Sequence, residues 1–187
     1  AAIPVAAAAH YHMGGVEVSP TGRAILAGLW ACGEASATGL HGANRLASNG
    51  LLEALVYARR AARDIADQVA GSGPVGKVKI ALTPGGHAPD AALAAELRQL
   101  MTARVGVVRD AAGLRDALLG IARLEAAGGE SPAFRNMTAT ATLIAAAALL
   151  RRESRGAHCR SDFPLGDPAL ARRSRLTLTE ALALRQS

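Results

Sequence analysis

The chain has few aromatic residues and few cysteines. Phe, Trp and Tyr make up 3% of its 187 residues, too few for the stacking surfaces typical of proteins that bind single-stranded nucleic acid. Half of the residues are hydrophobic and many of these are alanine, which favours closely packed helices over a β-sandwich. The two cysteines, Cys32 and Cys159, have no metal or redox spacing. We interpret Cys32 as a small core residue and expect a reducing, cytoplasmic location.

Signals for membrane insertion, secretion and several kinds of catalysis are also missing. No apolar run of transmembrane length is free of charge, since residues 143–150 are apolar but Arg151 and Arg152 follow at once. The N-terminal alanines lack the basic region of a signal peptide. The sequence contains no Ser-His-Asp set, no Walker loop, no metal-ligand spacing and no Gly-x-Gly-x-x-Gly after a strand. We therefore assign no catalytic residue and no metal site.

Positive charge is concentrated near the C-terminus. The net charge is +6, and residues 151–187 contribute +4 because they hold eight arginines and four acidic residues. A basic tail can bind nucleic acid, but the missing aromatics and motifs favour arginines that face an anionic cofactor, a carboxylate substrate or a partner subunit. For His158 and its neighbouring arginines we predict a structural docking role.

The loop after a predicted buried strand at 28–33 carries the most informative pattern. Glu34 follows the strand directly, and Thr-Gly-Leu-His-Gly-Ala-Asn-Arg at 38–45 precedes a long helix. The glycines allow a ligand to approach the backbone closely, and Arg45 can hold a carboxylate or phosphate bidentately. Ser48 or Asn49 can cap the helix, whose first N–H groups attract anions. The pattern predicts a ligand-binding loop, which His41 and Asn44 shape through hydrogen bonds to the backbone.

The first third of the chain has strand patterns followed by one helix. Short strands are predicted at 16–18, 24–26 and 29–32, with a turn at 19–22. The helix is predicted over about 48–70, with one inward apolar stripe. That stripe comprises Leu51, Leu52, Leu55, Ala58, Ala62, Ile65 and Val69. The charged residues expected in solvent are Arg59, Arg60, Arg63 and Asp64.

Three helices joined by short loops are predicted after a linker at 71–88, which includes a short strand at 78–82. They start near Asp90, near Asp110 and at Ser131, with Pro132 at the first helical position. The residues expected to face inward are Leu93, Leu97, Leu100 and Met101, then Leu114, Leu118, Ile121 and Leu124, then Phe134, Met137, Ala141, Ile144 and Ala148. The predicted domains are 1–70, the linker, a three-helix bundle at 89–155 and a basic tail at 156–187 with a short strand at 176–178.

Four sequence blocks resemble one flavoprotein family. They are the loop at 38–49, Ala-His-Tyr-His-Met-Gly-Gly-Val at 9–16, Leu-Arg-Gln-Leu-Met at 97–101 with Val-Gly-Val-Val-Arg at 105–109, and Leu-Leu-Arg-Arg-Glu-Ser-Arg-Gly-Ala-His at 149–158. This ordered similarity, over most of residues 5–165, resembles the C-terminal part of the L-aspartate oxidases, relatives of the succinate dehydrogenase and fumarate reductase flavoproteins. The implied fold class is α+β, with the C-terminal edge of an FAD-binding domain followed by the helical bundle.

The resemblance implies roles for individual residues. His10 and Arg45 match the family's substrate-binding positions, each of which contacts a carboxylate. Glu34 matches a residue that bonds the ribityl or ribose region of FAD, which the family binds non-covalently. Gly50 and Leu51, with Asn49 before them, place backbone N–H groups toward the flavin. The family commonly has serine at position 50, so this chain keeps only the backbone contact there.

The implied activity is oxidation of L-aspartate to iminoaspartate for quinolinate and NAD synthesis, with oxygen or fumarate reoxidising the flavin. The pyrophosphate fingerprint and the capping domain are expected upstream, so we expect the chain alone to be inactive. The alternatives are a fumarate reductase or succinate dehydrogenase flavoprotein, or a non-catalytic helical assembly module. Quinolinate synthase is an expected partner, whereas nucleic acid and membrane are not. Unpaired strand edges and an uncovered apolar helix face predict self-association of the chain.

Overall fold

A computed structural model describes residues 2–3, 5, 10–73, 76–77, 79–81, 86–128 and 131–186. The chain divides into two compact units, one comprising Ala9–Leu82 and the other Thr83–Ser187 together with Ala1–Ala8. The strand predicted at 78–82 is not formed at residues 79–81, and residues 78 and 82 lie outside the described set. The first unit is mainly loops and one helix, and the second is helical.

A two-stranded parallel sheet forms the start of the first unit. β1 (Val16–Glu17) pairs with β2 (Ser36–Ala37), and Val16 lies opposite Ser36. A short 3₁₀ helix, Gly33–Ala35, leads directly into β2. The contact is close at Gly15, which has a φ of 139°, and a Cβ there would lie 2.5 Å from the backbone oxygen of Ala35. Glycine at this position therefore permits the pairing.

Two of the predicted strands are wrong. Between residues 18 and 30 the described chain forms only single bridges, Val18 with Ala24 and Arg23 with Trp30. Tight turns interrupt the pattern: Gly22 donates its N–H to the oxygen of Ser19, and Leu29 donates to the oxygen of Leu26. The segment at 28–33 is consequently neither a strand nor buried, and Cys32 is exposed rather than part of a core.

Helix α1 (Asn49–Val69) has close to its predicted bounds but faces the opposite way. The predicted apolar stripe lies in solvent, with Leu51 77% and Leu55 70% exposed, whereas Glu53 and Ala61 are the buried residues of the helix. Asp64, expected in solvent, accepts hydrogen bonds from Arg23 at 2.8 and 3.0 Å and from Trp30 at 2.7 Å. The loops beneath the helix supply polar donors, so the helix turns its carboxylates toward them.

The predicted helices of the second unit are confirmed. They are α2 (Ala91–Val105), α3 (Ala111–Ala127) and α4 (Pro132–Leu150). Each has the cap that the sequence indicates: Asp90 accepts from two backbone N–H groups, and Asp110 and Ser131 accept from one each. The expected inward residues are buried or half-buried, and the fully buried ones include Leu114, Ile121 and Phe134.

A further helix, α5 (Leu178–Gln186), replaces the strand predicted at 176–178. Its first turn is a capping box, in which the Thr177 N–H donates to Oε2 of Glu180 at 2.7 Å and the Glu180 N–H donates to the Thr177 hydroxyl at 3.3 Å. Helix α5 packs against α3 and α4 through the buried Ala181. The Thr-Leu-Thr-Glu signature was present in the sequence, and its capping geometry outweighs the β propensity of Leu-Thr-Leu.

Helix α4 is long and apolar enough, by length and composition, to cross a membrane, although it includes Arg135. The interior helix of a bundle has the same properties. Seven residues of α4 are buried, and the helix packs against α3 and α5. We therefore read it as the central helix of the bundle.

The arginines after α4 are held mainly by contacts within the same segment. A second parallel pair joins β3 (Val108–Arg109) to β4 (Cys159–Arg160). Arg160 is 1% exposed, binds both oxygens of Asp162 at 2.7 and 2.8 Å, and donates to the carbonyls of Ala148 and Leu149 at the end of α4. The positive guanidinium also interacts favourably with the negative, C-terminal end of the α4 dipole. Arg160 is thus a C-terminal cap of α4.

A buried carboxylate organises the rest of this segment. Glu153 accepts from Arg151 at 2.6 Å, from Arg155 at 2.9 and 3.0 Å, and from the backbone of Asp167 at 2.8 Å. The hydrogen bonds from Arg155 lower the pKa of Glu153 to about 2 despite its burial. Burial lowers the pKa of His158, whose Nδ1 lies 3.0 Å from an Arg109 nitrogen. This network supports a role within the fold for His158 and its neighbouring arginines.

Candidate functional site

The loop at 38–48 is a series of tight turns that ends at α1. Gly39 and Gly42 have φ values of 85° and 55°, and Gly42 donates its N–H to the oxygen of Gly39 at 3.3 Å. Asn44 donates to the oxygen of His41 at 3.1 Å. These positive φ angles favour glycine. The two glycines of Gly-Leu-His-Gly therefore allow the turns of the loop, and Arg45 follows them shortly before the N-terminus of α1.

Glu53 is the centre of a buried hydrogen-bond network beneath this loop. It is 2% exposed. Its Oε1 accepts from the Thr38 hydroxyl, and its Oε2 lies 2.7 Å from His41 Nε2 and 3.3 Å from the Tyr11 hydroxyl. The Nε2–H tautomer of His41 can donate to this carboxylate. The interpretation that His41 acts on the loop backbone is therefore wrong, because its partner is a side chain on α1.

Arg45 lies on an aromatic ring and has one nitrogen without a partner. Its guanidinium carbon is 4.6 Å from the centre of the Tyr11 ring, its Nη1 donates to the oxygen of Leu46 at 3.1 Å, and its backbone N–H points to the sulfur of Met13 at 3.1 Å. Among the described residues, no group accepts from its buried Nε. An unpaired buried N–H of a cation is costly, so Arg45 is suited to hold an anion.

Tyr11 connects the N-terminal segment to the loop. Its ring meets the His41 ring edge-on, with the centres 5.3 Å apart. Desolvation and the nearby Glu53 carboxylate raise the pKa of Tyr11, so its hydroxyl remains a donor. His10 directly precedes Tyr11 and is exposed. The fold therefore brings the segment that carries His10 to the loop that carries Arg45.

The predicted cofactor-binding residues lie at the same end of α1 or on the 3₁₀ helix before β2. Glu34 is exposed, and its Oε1 accepts from the His12 N–H at 2.9 Å. Asn49, Gly50 and Leu51 form the first turn of α1, and Ser48 before them has a φ of 65° and makes no side-chain cap. A Cβ at position 50 would lie 2.9 Å from the Tyr11 ring. Glycine there leaves room for Tyr11.

Sequence reasoning missed Glu53 and Tyr11. The signal for Glu53 was a single carboxylate inside the apolar run Leu-Leu-Glu-Ala-Leu-Val at 51–56, which the leucine stripe concealed. Tyr11 lies between His10 and His12, and no sequence pattern marks it as a site residue. Within the described part of the chain, no group of three or more His, Cys, Asp or Glu side chains is arranged to hold a metal ion. The site therefore combines the Arg45 cation, the first turn of α1 without a side-chain cap from Ser48, and the exposed carboxylate of Glu34.

Two family models match the chain. The FAD binding domain matches residues 1–51, which include the loop, Arg45 and the first turn of α1. The fumarate reductase flavoprotein C-terminal model matches residues 130–184, which include α4 and most of α5. The two matches indicate FAD as the cofactor.

Curated relatives carry the name L-aspartate oxidase. That of Rhodospirillum rubrum is 53% identical over 178 residues, which cover 92% of this chain and 62% of the relative. That of Caulobacter vibrioides is 51% identical over 166 residues, which cover 89% of this chain and 31% of the relative. The chain thus spans less than two thirds of the length of either relative.

Solved flavoprotein structures share the fold. Sdh1 of Mycobacterium smegmatis superposes with a TM-score of 0.71 at 37% identity, covering 84% of this chain and 31% of its own. The FrdA subunit of Escherichia coli quinol fumarate reductase superposes with a TM-score of 0.70 at 26% identity, covering 87% of this chain and 33% of its own. These matches confirm the α+β fold class and the resemblance predicted from the sequence: the chain is similar to part of the L-aspartate oxidases, within the superfamily of succinate dehydrogenase and fumarate reductase flavoproteins.

Proposed function

We propose that the complete protein containing this chain is an FAD-dependent L-aspartate oxidase, which forms iminoaspartate for quinolinate and NAD synthesis. One observation carries the proposal. Arg45 lies within the region matched by the FAD binding domain, and among the described residues its buried Nε has no partner. A dicarboxylate supplies the acceptor that this nitrogen lacks. The names of the relatives agree with an aspartate substrate.

The residues present fit an FAD cofactor. The first turn of α1 has no side-chain cap from Ser48, so the N–H groups of Gly50 and Leu51, with Asn49 beside them, suit the electron-rich edge of a flavin. The exposed carboxylate of Glu34 suits a ribityl or ribose hydroxyl. When bound, FAD supplies the two-electron acceptor for oxidation at the substrate Cα.

In this proposal His10 and Arg45 anchor the substrate. L-aspartate has two carboxylates, and two separate anchors fix the orientation of its Cα–H. Arg45 offers a planar guanidinium whose ring stacking limits its freedom. His10 offers an exposed imidazole N–H on the adjoining segment. These residues bind and orient, and no proton-transfer residue is assigned among those described.

A fumarate reductase or succinate dehydrogenase flavoprotein is the second candidate. The likeness to Sdh1, at 37% identity, favours it, and a dicarboxylate anchored by His10 and Arg45 suits succinate or fumarate as well. The two candidates differ at Cα, where only aspartate carries an amino group. The third candidate, a non-catalytic assembly module, predicts that the complete protein carries no flavin.

The experiment is to purify the complete protein and record its visible flavin absorbance and its oxidation of L-aspartate and of succinate. We expect a bound flavin, iminoaspartate formation with oxygen or fumarate as acceptor, and little oxidation of succinate. Oxidation of succinate alone would support the second candidate. The 187-residue chain with added FAD is the matched control, and we expect no sustained turnover from it.

Location and partners belong to the same proposal. We place the protein in the cytoplasm and expect it to transfer iminoaspartate to quinolinate synthase. We also propose that the 187-residue chain associates with itself, since Leu51, Leu52 and Leu55 lie exposed on α1.

A further inference from the structure

The buried network around Glu53 has no part in the ligand contacts proposed above. Its carboxylate accepts from three side chains that lie far apart in the sequence, Tyr11, Thr38 and His41. Enclosing a carboxylate costs several kilocalories per mole unless donors satisfy it, and here they do. The result is a fixed point that joins α1 to two separate loop segments.

From this geometry we infer that Glu53 is a positioning residue for Arg45, acting through the Tyr11 ring. The inference rests on the proposed function, in which Arg45 holds a substrate carboxylate. In this inference Glu53 raises the affinity of the site for dicarboxylates without contacting the substrate.

Three contacts hold the Tyr11 ring in place. Its hydroxyl donates to Glu53, and its edge meets the His41 ring, which Glu53 also binds. Gly50 leaves so little space that a Cβ would approach the ring to 2.9 Å. The ring plane is therefore defined by Glu53 directly and through His41.

The ring plane in turn determines the orientation of the Arg45 guanidinium. A cation prefers the face of an aromatic ring, and the Arg45 guanidinium carbon lies 4.6 Å from the ring centre. Nη1 is occupied by the oxygen of Leu46. Among the described residues Nε is left without an acceptor. A carboxylate that binds an arginine side-on needs this nitrogen. A tilt of the Tyr11 ring would therefore turn the Nε–H of Arg45 away from the bound carboxylate.

The test uses Glu53→Gln in the complete enzyme. The amide keeps the volume but has only one acceptor oxygen, so it cannot serve all three donors. We expect KM for L-aspartate to rise roughly tenfold, as for coupled neighbours in one network. We expect kcat to change less than about twofold and flavin content to stay the same, because uniform binding is what is lost. Glu96→Gln, at an exposed glutamate of α2, is the control and should leave KM unchanged.

A double-variant cycle with Arg45→Lys separates positioning from general stability. Lysine lacks the planar fork, so Glu53→Gln should add less than about a twofold rise in KM in that background. A flavin-loaded Glu53→Gln enzyme with unaltered KM, or an effect that multiplies fully with Arg45→Lys, would overturn the inference.

Two variants of Tyr11 keep the test decisive if Glu53→Gln does not fold. Tyr11→Leu removes the ring and should raise KM about as much as the loss of Glu53. Tyr11→Phe loses the direct bond to Glu53 but keeps the ring edge against His41, and it should raise KM by a smaller factor. A Tyr11→Leu enzyme with normal KM would refute the relay. The dissociation constant of succinate, read from the flavin spectrum, gives the same comparison if the wild-type enzyme does not oxidise aspartate. Failure of the proposed function is thus distinguishable from failure of this inference.

Discussion

At the scale of single residues, Arg45 combines a fixed orientation with an unsatisfied donor. Stacking on Tyr11 and the bond to Leu46 restrict its guanidinium. An arginine held in this way loses little further side-chain entropy when it binds a carboxylate. Arg45 is therefore better prepared for an anion than a flexible surface arginine.

Replacing Arg45 tests the carboxylate anchor. In the complete enzyme, Arg45→Leu should cost roughly 3–5 kcal/mol in transition-state stabilisation, because the substrate carboxylate loses its charged partner. The measurement is kcat/KM for L-aspartate. Arg59→Leu, at an exposed position of the same helix, is the matched control. Near-normal kinetics for Arg45→Leu would place the anchor elsewhere.

The residues of the site were predictable where their chemistry is visible in the sequence. Arg45 stands at the end of a polar loop with glycines, whereas His10 and Glu34 were identified through the family resemblance, and all three functional roles remain predictions. Glu53 and Tyr11 were not predictable, because their roles depend on how α1 rotates. That rotation follows from donors 12 to 42 positions away in sequence, which no local pattern records.

At the scale of elements, two helices show opposite relations between pattern and burial. Helix α3 buries its apolar stripe, including Leu114 and Ile121, as its periodicity predicts. Helix α1 exposes its leucines and buries Glu53. The bundle was therefore predictable from caps and periodicity. The first unit was not, because side-chain hydrogen bonds rather than apolar packing orient its helix.

The end of α4 depends on Arg160. Arg160→Met removes the bidentate partner of Asp162 and the donors to the Ala148 and Leu149 carbonyls. Asp162 stays accessible to solvent when Arg160 is lost, and hydrogen bonds to a charged group contribute about 1.5–3 kcal/mol, so the free energy of unfolding should fall by about that amount. Urea denaturation of the 187-residue chain measures it. Arg123→Met, on the exposed face of α3, should change stability by less than about 0.5 kcal/mol, and equal effects of the two would argue against the cap.

The same segment predicts sensitivity to acid. The pKa of Glu153 and the pKa of Asp162 are each lowered to about 2, chiefly by hydrogen bonds from Arg155 and from Arg160. In the unfolded chain carboxyl groups titrate near pH 4, so between about pH 4 and pH 2 the unfolded state binds more protons. Stability from these groups is complete above that window and is lost as the pH falls through it. The slope of unfolding free energy against pH should be shallower in Glu153→Gln, and an unchanged slope would contradict this account.

At the scale of the whole molecule, the two units are stabilised differently. The helical unit has a continuous apolar core that includes Leu118, Phe134 and Ala145. The first unit is fixed largely by Glu53, Asp64 and their donors. Its strands β1 and β2 are two residues long each, so their open edges offer little to another strand. The exposed apolar face of its helix is therefore the stronger feature favouring association with another surface.

That face yields a prediction for the isolated chain. Leu51 and Leu55 lie one turn apart on α1 and are 77% and 70% exposed, and contiguous exposed leucines favour burial against a partner. We expect concentration-dependent self-association by light scattering and solution X-ray scattering. The double variant Leu51→Glu with Leu55→Glu should shift the chain toward monomer, whereas Leu119→Glu, at a single exposed leucine of α3, should not. A compact monomer at every concentration of the unchanged chain would show that the face stays open without a second copy.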